Sequence, residues 1–445
     1  MQLHKNSPLR VGSLFSGIGA FEHALKQLNI EHEILFACDN GERELPLRQN
    51  DLLRLIQGMN DIQLSVFCGD YIDRVGVKKA YREVETDLLF KIAKKCTPAN
   101  TPIVLEYQKE GRKSPIKHHL TLTKDQIIAL TPNMTMKERE AYVDELYHMI
   151  GEHNYVKDSY FANYDITDNQ WHEDVRFIDA SEFKGKLDIM VGGSPCQSFS
   201  NYGNKMGLED TRGTLFYDYA RIIKECQPKI FVYENVSGLI NHDKKRTWTL
   251  MKQVWESLGY VIRFQILDAK DYDHPQLRKR LFLIGFRKDI YTKEYVFPPQ
   301  KELTKTSHQF MEPSPVDDKY YLPEKGFKWV TDPSRNDRKA RVNQDITGCQ
   351  TAVQQDNWSG DLRVERPQPY HYTDDRIYIG KYDFGNGLED AVARKMTPRE
   401  CLRLMGFSDD FKIVVPDKIA YRQSGNSIVV PVLKEIIETL LPYLD

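Results

Sequence analysis

The stretch "RVGSLFSGIGAFEHALKQLNIEHEILFACDN", Arg10 to Asn40, decides the fold. It opens as a short apolar run, turns on glycines, and continues with Phe21, Leu25 and Leu28 at helical spacing. A second apolar run, "HEILFAC", ends at Asp39. Strand, glycine turn, helix and strand in that order form the building unit of a parallel sheet. The rhythm returns downstream in "KLDIMVGG" (186–193), "LFYDYARIIKEC" (215–226), "KIFVYEN" (229–235), "RTWTLMKQVWESLG" (246–259), "YVIRFQILDA" (260–269) and "RLFLIGF" (280–286). Apolar strands alternating with amphipathic helices predict a doubly wound, Rossmann-like α/β sheet covered on both faces.

Two regions break the rhythm. Residues 71–160 carry charged helical patterns, "VKKAYREVETDLLFKIAKKC" and "TMKEREAYVDELYHMIG", around a hairpin centred on "IVLEYQKEGRKSPIKHHLTL". Residues 287–392 are rich in Pro, Asp, Tyr, Trp and Gln and predict a smaller, irregular second domain. The organisation expected is therefore a first domain over 1–286 with an insertion, a second over 287–392, and a return to the first over 393–445. That return ends in an amphipathic helix within "QSGNSIVVPVLKEIIETLLPYL".

The 445 residues, 40% hydrophobic and 28% charged, are enough for a large core. No apolar run of the length needed to span a membrane occurs, and the start of the chain lacks the apolar stretch of a signal peptide. A cytoplasmic protein is expected. The seven cysteines lie 28 or more residues apart, with no CxxC pair, against a disulfide framework and against zinc. A formal charge of −2 names no nucleic-acid partner, so a basic surface would have to be local. Residues 74–119 carry a local excess, 11 Lys and Arg against 5 Asp and Glu, a pattern more often a solvated face than a polyanion site.

Four constellations carry chemistry. In "FSGIGAF" (15–21), glycines at a strand-to-helix turn let a ligand approach the backbone, and Asp39 follows Gly19 by 20 residues at the end of the next strand. Together they suit an adenosine-containing cofactor, and the lack of GK[ST] argues against a nucleoside triphosphate. In "IMVGGSPCQSFSNYGN" (189–204), Cys196 follows a proline at the mouth of a strand, where an open α/β sheet places its ligands. A thiol there is either an inert half-buried group or a nucleophile whose proton is removed. Glu234 ends the strand "KIFVY" at the same edge, as a surface cap or a proton-handling group. Gln276, Arg278 and Arg280 alternate into the last strand, so their side chains share a direction. Two arginines so aimed need an anion or carbonyl oxygens to meet.

The ordered set "FSGIGAFEHAL", "GGSPCQSFS", "GLEDTRGTLFYD", "FVYENVSGL", "DYDHPQLRKRLFLIGFR", "RKMTPRECLRLMGFSDDF" and "QSGNSIVVPVL" closely resembles the cytosine-5 DNA methyltransferases. The resemblance covers about 1–70, 160–290 and 393 onward. It implies a DNA (cytosine-5)-methyltransferase using S-adenosyl-L-methionine and acting on a cytosine flipped out of double-stranded DNA. It implies that Cys196 adds to C6 of the base, that Glu234 hydrogen-bonds or protonates N3, that Arg280 grips O2, and that Arg278, with Gln276, holds the site together.

For the cofactor, the resemblance implies Phe15, Ser16, Gly17, Ile18, Gly19 and Ala20 of the first motif. Asp39, where the family usually has Glu, would take the ribose hydroxyls beside Asn40. Pro195, Leu215, Asn426 and Ser427 match further contact positions. Asp165 with Ile166, in "NYDITD", is preferred over Asp70 as the adenine-binding acid, since the segment after it leads into the Cys196 strand. Gln197, Ser198, Ser200 and Arg212, on the Gly- and Ser-containing loop 198–213, would meet DNA.

The resemblance assigns no role to the insertion. It sets 287–392 where the family carries its target-recognition domain; within that region Gln354, Gln355 or Arg341 is the candidate to reach bases. No metal is expected. A monomer of bacterial or phage type, accompanied by a restriction enzyme or other defence proteins or acting alone, is the implied setting. Three other readings compete. A transfer-RNA cytosine-5 methyltransferase is disfavoured by "PCQSFS", where the RNA-modifying relatives resemble "PCQPFT". An inactive regulatory relative would have lost residues that this chain keeps. A dinucleotide-dependent oxidoreductase explains the first motif alone.

Overall fold

The computed structural model describes residues 7–75, 79–108, 114–194, 215–334, 340–369, 372–374 and 376–444. The chain begins with strand β1 (Leu9–Leu14), helix α1 (Ala20–Gln27) and strand β2 (His32–Cys38). Helices α2 (Gln49–Leu55), α3 (Asp61–Arg74) and α4 (Arg82–Lys95) follow, then the hairpin β3 (Val104–Tyr107) and β4 (Ile116–His119). Next come α5 (Lys124–Leu130), α6 (Met136–Ile150), α7 (Tyr155–Asn163), the two-residue β5 (Trp171–His172) and β6 (Ile189–Gly192). Helix α8 (Leu215–Cys226), β7 (Ile230–Val236), α9 (Arg246–Ser257), β8 (Tyr260–Asp268) and β9 (Lys279–Arg287) complete the main sheet. The second unit holds α10 (Glu324–Thr331), β10 (Ala340–Val342), β11 (Gly360–Glu365), β12 (Gly380–Asp383) and β13 (Leu388–Lys395). Helices α11 (Pro398–Arg403), α12 (Asp417–Asn426) and α13 (Val430–Leu440) return to the first.

The main sheet has seven strands in the order β5-β2-β1-β6-β7-β9-β8. Strands β5, β2, β1, β6 and β7 run parallel, so their carboxyl ends share one edge. Strand β9 is antiparallel to both of its neighbours. The apolar run "RLFLIGF" predicts a strand, but not that it reverses.

Both faces are covered, as continuous apolar strands require. One face packs on α1 and α13, with Phe21, Ala24, Leu25, Leu433, Ile436 and Ile437 against Val11, Val191 and Val232. The other packs on α8 and α9, with Phe216, Ile222, Trp248 and Trp255 against Met190, Phe231 and Leu283. Burying side chains of this size contributes about 1.5–3 kcal/mol each. Among the described residues no helix is long and apolar enough to cross a membrane.

The inserted segment folds around its own apolar core, from Leu45, Leu47 and Leu52 to Leu146 and Tyr147. It thus reaches back to residue 45, further than the expected 71, because α2 and α3 turn a narrow apolar stripe inward. Helix α7 belongs instead to the main sheet, through Tyr160 against Trp171. Acids of the same unit neutralise part of the basic excess over 74–119. Arg74 pairs with Asp125 at 2.6 Å, Lys91 with Asp87 at 2.5 Å, Lys94 with Asp61 at 2.5 Å, Lys117 with Glu106 at 3.0 Å, and Arg82 with Asp73. The second unit is a four-stranded sheet, β10-β11-β13-β12, under α10.

At the seam between insertion and sheet, His172 Nδ1 meets Glu140 at 2.5 Å, and Asp144 lies beside them. Burial first, and then the Glu140 charge, push the Asp144 carboxyl up to about 7, against the opposing pull of His172. A carboxyl raised in the folded state favours folding below its unfolded value and loses that advantage as pH rises through the folded one. Asp144→Asn is therefore expected to stabilise the protein at pH 8, on the order of 1–4 kcal/mol, and to have little effect near pH 4. Thermal unfolding of both proteins across that range checks it; equal differences at both ends would refute it.

Candidate active site

The turn after β1 is wound tightly. Phe15, Gly17 and Gly19 all have left-handed backbones, at φ 52°, 52° and 71°. Ser16 fastens the turn to β2: its hydroxyl donates to the Cys38 carbonyl at 2.9 Å and accepts from the Cys38 N–H at 2.9 Å. Asp39, the first residue past β2, accepts from Gly17 N–H at 3.0 Å and Gly41 N–H at 2.8 Å. Burial raises its carboxyl above the ordinary value, and those two N–H groups oppose the rise. Ile18 and Ala20 are buried in the core, so only their backbone faces the edge. Phe15 and Leu215 pack half-buried against the α8–α9 side of the core. Gly17 has open space where a side chain would stand. Bare backbone at Gly17 beside the Asp39 carboxylate is a donor-and-acceptor set that fits a ribose against a turn.

Strand β6 delivers its exit beside β7, through the register Gly192 to Tyr233. A Cβ on Gly193 would stand 2.2 Å from the Glu234 carbonyl oxygen, so only glycine fits there. Ser194 shares a hydrogen bond with the Tyr233 hydroxyl at 2.7 Å, and Asn235 donates to the Ser194 carbonyl at 2.8 Å. These contacts hold the chain just before Pro195 and Cys196. Those two residues, with Gln197, Ser198, Ser200 and Arg212, lie outside the described residues.

Strand β9, being antiparallel, starts where β7 ends, and Val236 pairs with Arg280. Arg280 Nε lies 3.1 Å from Glu234 Oε1. Burial lifts the Glu234 carboxyl, opposed by the charges of Arg280 and Arg278. Of the three alternating residues only Arg280 meets Glu234. Arg278 is buried and donates to the carbonyls of Gln350 at 2.7 Å, Gly425 at 2.9 Å and Ser427 at 2.7 Å. Its guanidinium is pulled down to about 10 by burial and then by Arg280. Gln276 donates to the Leu404 carbonyl at 2.7 Å, so its amide faces α11 and not the open edge.

Asn426 donates to Glu42 at 2.9 Å, which brings the end of α12 beside the loop after β2. The Ser427 hydroxyl meets the Ile428 carbonyl at 3.4 Å. Asn40 donates to the Arg43 carbonyl at 2.8 Å.

Other expected residues stand elsewhere. Asp165 is exposed and precedes β5, on its amino-terminal side, with Ile166 packed near Trp171. Asp70 is exposed on α3 within the insertion. Neither is carried by the carboxyl end of a sheet strand. The acids that do stand there, next to Asp39, are Glu173 and Asp174, just past β5 through the register Cys38 to His172. Sequence reading missed them because a two-residue strand has no periodicity to detect. Gln354, Gln355 and Arg341 are committed inside the second unit. Gln354 donates to Gln350 and Ser424, each at 3.0 Å, Gln355 to the Asp361 carbonyl at 2.9 Å, and Arg341 pairs with Asp361 at 2.8 Å. Reading bases with them would break those bonds.

The bare Gly17 backbone and the Asp39 carboxylate thus stand at the same sheet edge as the Glu234–Arg280 pair. The sequence profile of the C-5 cytosine-specific DNA methylases matches residues 145–441 of this chain. The chain belongs to that family. DNA cytosine-5 methylation is its activity. The type II methyltransferase M.SsoII of Shigella sonnei is 37% identical over 297 residues, 65% of this chain and 72% of the relative. The type II methyltransferase M.HhaI of Haemophilus parahaemolyticus is 32% identical over 257 residues, 56% of this chain and 74% of the relative. In fold, the methylase resembles the Dnmt2 methyltransferase of S. pombe, with TM-score 0.54 and 17% identity over 98% of this chain and 99% of that one.

The close approach at Gly193 yields an expectation for this methylase. Gly193→Ala must push the exit of β6 away from Glu234, and displacements of about 1 Å at a reacting group cost on the order of 10²-fold in rate. A fall in single-turnover methyl transfer of that order is expected; an unaltered rate would show that the 193–234 contact does not matter.

Proposed function

We propose that this methylase acts as an S-adenosylmethionine-dependent DNA (cytosine-5)-methyltransferase on a short sequence in double-stranded DNA, by covalent addition through Cys196. The observation that carries the reading is the Glu234–Arg280 pair, 3.1 Å apart, beside the Gly193–Ser194 exit that leads two residues later to Cys196.

An unactivated cytosine C5 is a poor nucleophile. Addition of the Cys196 thiolate to C6 saturates the ring there and pushes electron density onto C5 and the O2–N3 side. Glu234, protonated, donates to N3 and so receives the charge that develops in the ring. Arg280 turns from Glu234 toward O2 as the base binds and donates there, where negative charge develops in the ring. Arg278, bound to three backbone carbonyls, keeps the strand that carries Arg280 from shifting. S-adenosylmethionine supplies a methyl carbon made electrophilic by its sulfonium. Gly17, Asp39 and Asn40, with the 426–427 segment, would hold its nucleoside, Asp39 accepting from the ribose hydroxyls. After C5 is methylated, its proton leaves and the Cys196 sulfur is expelled from C6, which restores the aromatic ring and the thiolate. Flipping the base costs a few kcal/mol, offset by the contacts to its edge.

Two outcomes test this. A duplex with 5-fluorocytosine at the target position lacks the departing proton, so it is expected to give a denaturation-stable adduct with the protein and S-adenosylmethionine, absent in Cys196→Ser. No adduct on a duplex that is methylated in its ordinary form would overturn the covalent route. Glu234→Ala is expected to lower kcat by about 10²–10⁴-fold, the usual weight of a positioned general acid. Because Glu234 must be protonated to donate, activity should fall as pH rises through its elevated value, and Glu234→Gln should flatten that limb. An alkaline limb unaltered in Glu234→Gln would assign it to another group.

A further inference from the structure

Residues 45–150 fold into a unit with its own core, and the reaction as described gives it no task. Its seam with the main sheet falls on the loops that leave β2 and β5. Arg43 stands in that seam with a side chain 8% exposed. Its guanidinium donates to the Asn40 carbonyl at 2.9 Å and the Glu152 carbonyl at 3.3 Å, pairs with Glu173, and lies 4.9 Å over the ring of Tyr147. Tyr147, on α6 of the insertion, donates its hydroxyl to Asp174 at 3.1 Å. Asn154, where the chain leaves the insertion, donates to the Asp39 carbonyl at 3.0 Å and to Glu173 at 2.9 Å. Its amide oxygen caps α7 on the N–H groups of Val156 and Lys157, and a Cβ on Gly41 would stand 2.3 Å from that oxygen.

Three segments are tied together here: 39–43 after β2, 147–154 at the end of the insertion, and 173–174 after β5. Asp39 is fixed from both sides, by Gly17 and Gly41 on its carboxylate and by Asn154 on its carbonyl. Every tie is a hydrogen bond to a charged or amide group in a half-buried seam, the kind that holds geometry best. Among the described basic groups of the insertion, Arg74, Arg82, Lys91, Lys94 and Lys117 are paired with acids of the same unit.

We propose that the insertion serves the cofactor, through Arg43, Tyr147 and Asn154, which form the outer wall of the crevice and act as positioning residues for Asp39. The proposal rests on the reading of Asp39 as the residue that holds the ribose. Arg43 is the keystone because its planar fork reaches three acceptors at once, which a lysine ammonium at that depth would not reproduce.

The test is calorimetric titration of S-adenosylmethionine into the full-length protein and its variants, each with its melting temperature. Arg43→Met, which keeps the packing over Tyr147 and removes the three bonds, is expected to raise Kd about tenfold, as loss of a group that orients a binding residue does. Arg43→Lys should recover part of the loss. Tyr147→Phe and Asn154→Ala should raise Kd by a smaller factor, and Lys91→Ala, on the exposed surface of the insertion, should leave it unchanged. A purely structural role would lower the melting temperature and leave the Kd of the folded protein alone, and that result would overturn the proposal. If Arg43→Met does not fold, Tyr147→Phe and Asn154→Ala decide, and wild-type affinity in both refutes it. Asp39→Asn separates the two readings: if it binds as tightly as wild type, the crevice assignment fails, whereas a weakened Asp39→Asn beside an unaffected Arg43→Met defeats only the wall.

Discussion

One reversal of direction makes the site possible. Five strands of the sheet run parallel, and side chains that follow their carboxyl ends gather at one edge. A parallel ninth strand would have started at the opposite edge, the length of β7 away, at about 3.3 Å per residue. Strand β9 runs antiparallel, so Arg280, second in β9, lies across from Val236, last in β7. The charge pair with Glu234 then follows from register. No loop has to carry the guanidinium, and a group carried on a strand is held more firmly than one on a loop.

The same reversal explains why Arg278 is worth its burial. Taking a guanidinium out of water is expensive, and neutral carbonyls return only part of that loss. Its depressed basicity, at about 10, records the shortfall. What the arrangement contributes is connection: the carbonyls of Gln350, Gly425 and Ser427 come from the second unit and from the end of α12. The strand that carries Arg280, the second unit and the 425–427 segment are thereby tied to a single residue. Asn235 does the equivalent on the other side, by holding the Ser194 carbonyl as β6 gives way to the residues before Cys196.

How much of this was legible depends on how each signal is written. The strands were readable because a strand buried on both faces is apolar throughout, and "KIFVY" and "RLFLIGF" leave little else to be. Gly17, Gly19 and Asp39 were readable because a left-handed turn and an acid after a strand are local demands on residue type. Strand direction was not, since parallel and antiparallel partners bury the same side chains. The acids Glu173 and Asp174 were not, because β5 offers only Trp171 and His172 as pattern. Gln354, Gln355 and Arg341 misled in the opposite way. Their chemistry suits base edges, but whether an amide or guanidinium is free to read depends on what the fold has already given it, and Asp361, Ser424 and Gln350 are distant or unremarkable in sequence.

Charge makes the same point about the insertion. An excess of six positive charges over 74–119 would, if exposed and unpaired, draw a polyanion by releasing its counterions. Pairing changes that arithmetic. Asp61, Asp73 and Asp125 lie on helices of the same unit and outside 74–119, so their pairs with Lys94, Arg82 and Arg74 cancel three of the six charges. A pair at the surface contributes little to stability, yet it still cancels the field that a phosphate backbone would feel at a distance. The insertion is left as a unit whose outward contacts include Tyr147 to Asp174, Asn154 to the Asp39 carbonyl and Glu173, the Glu152 carbonyl accepting from Arg43, and Lys124 paired with Asp218 on α8.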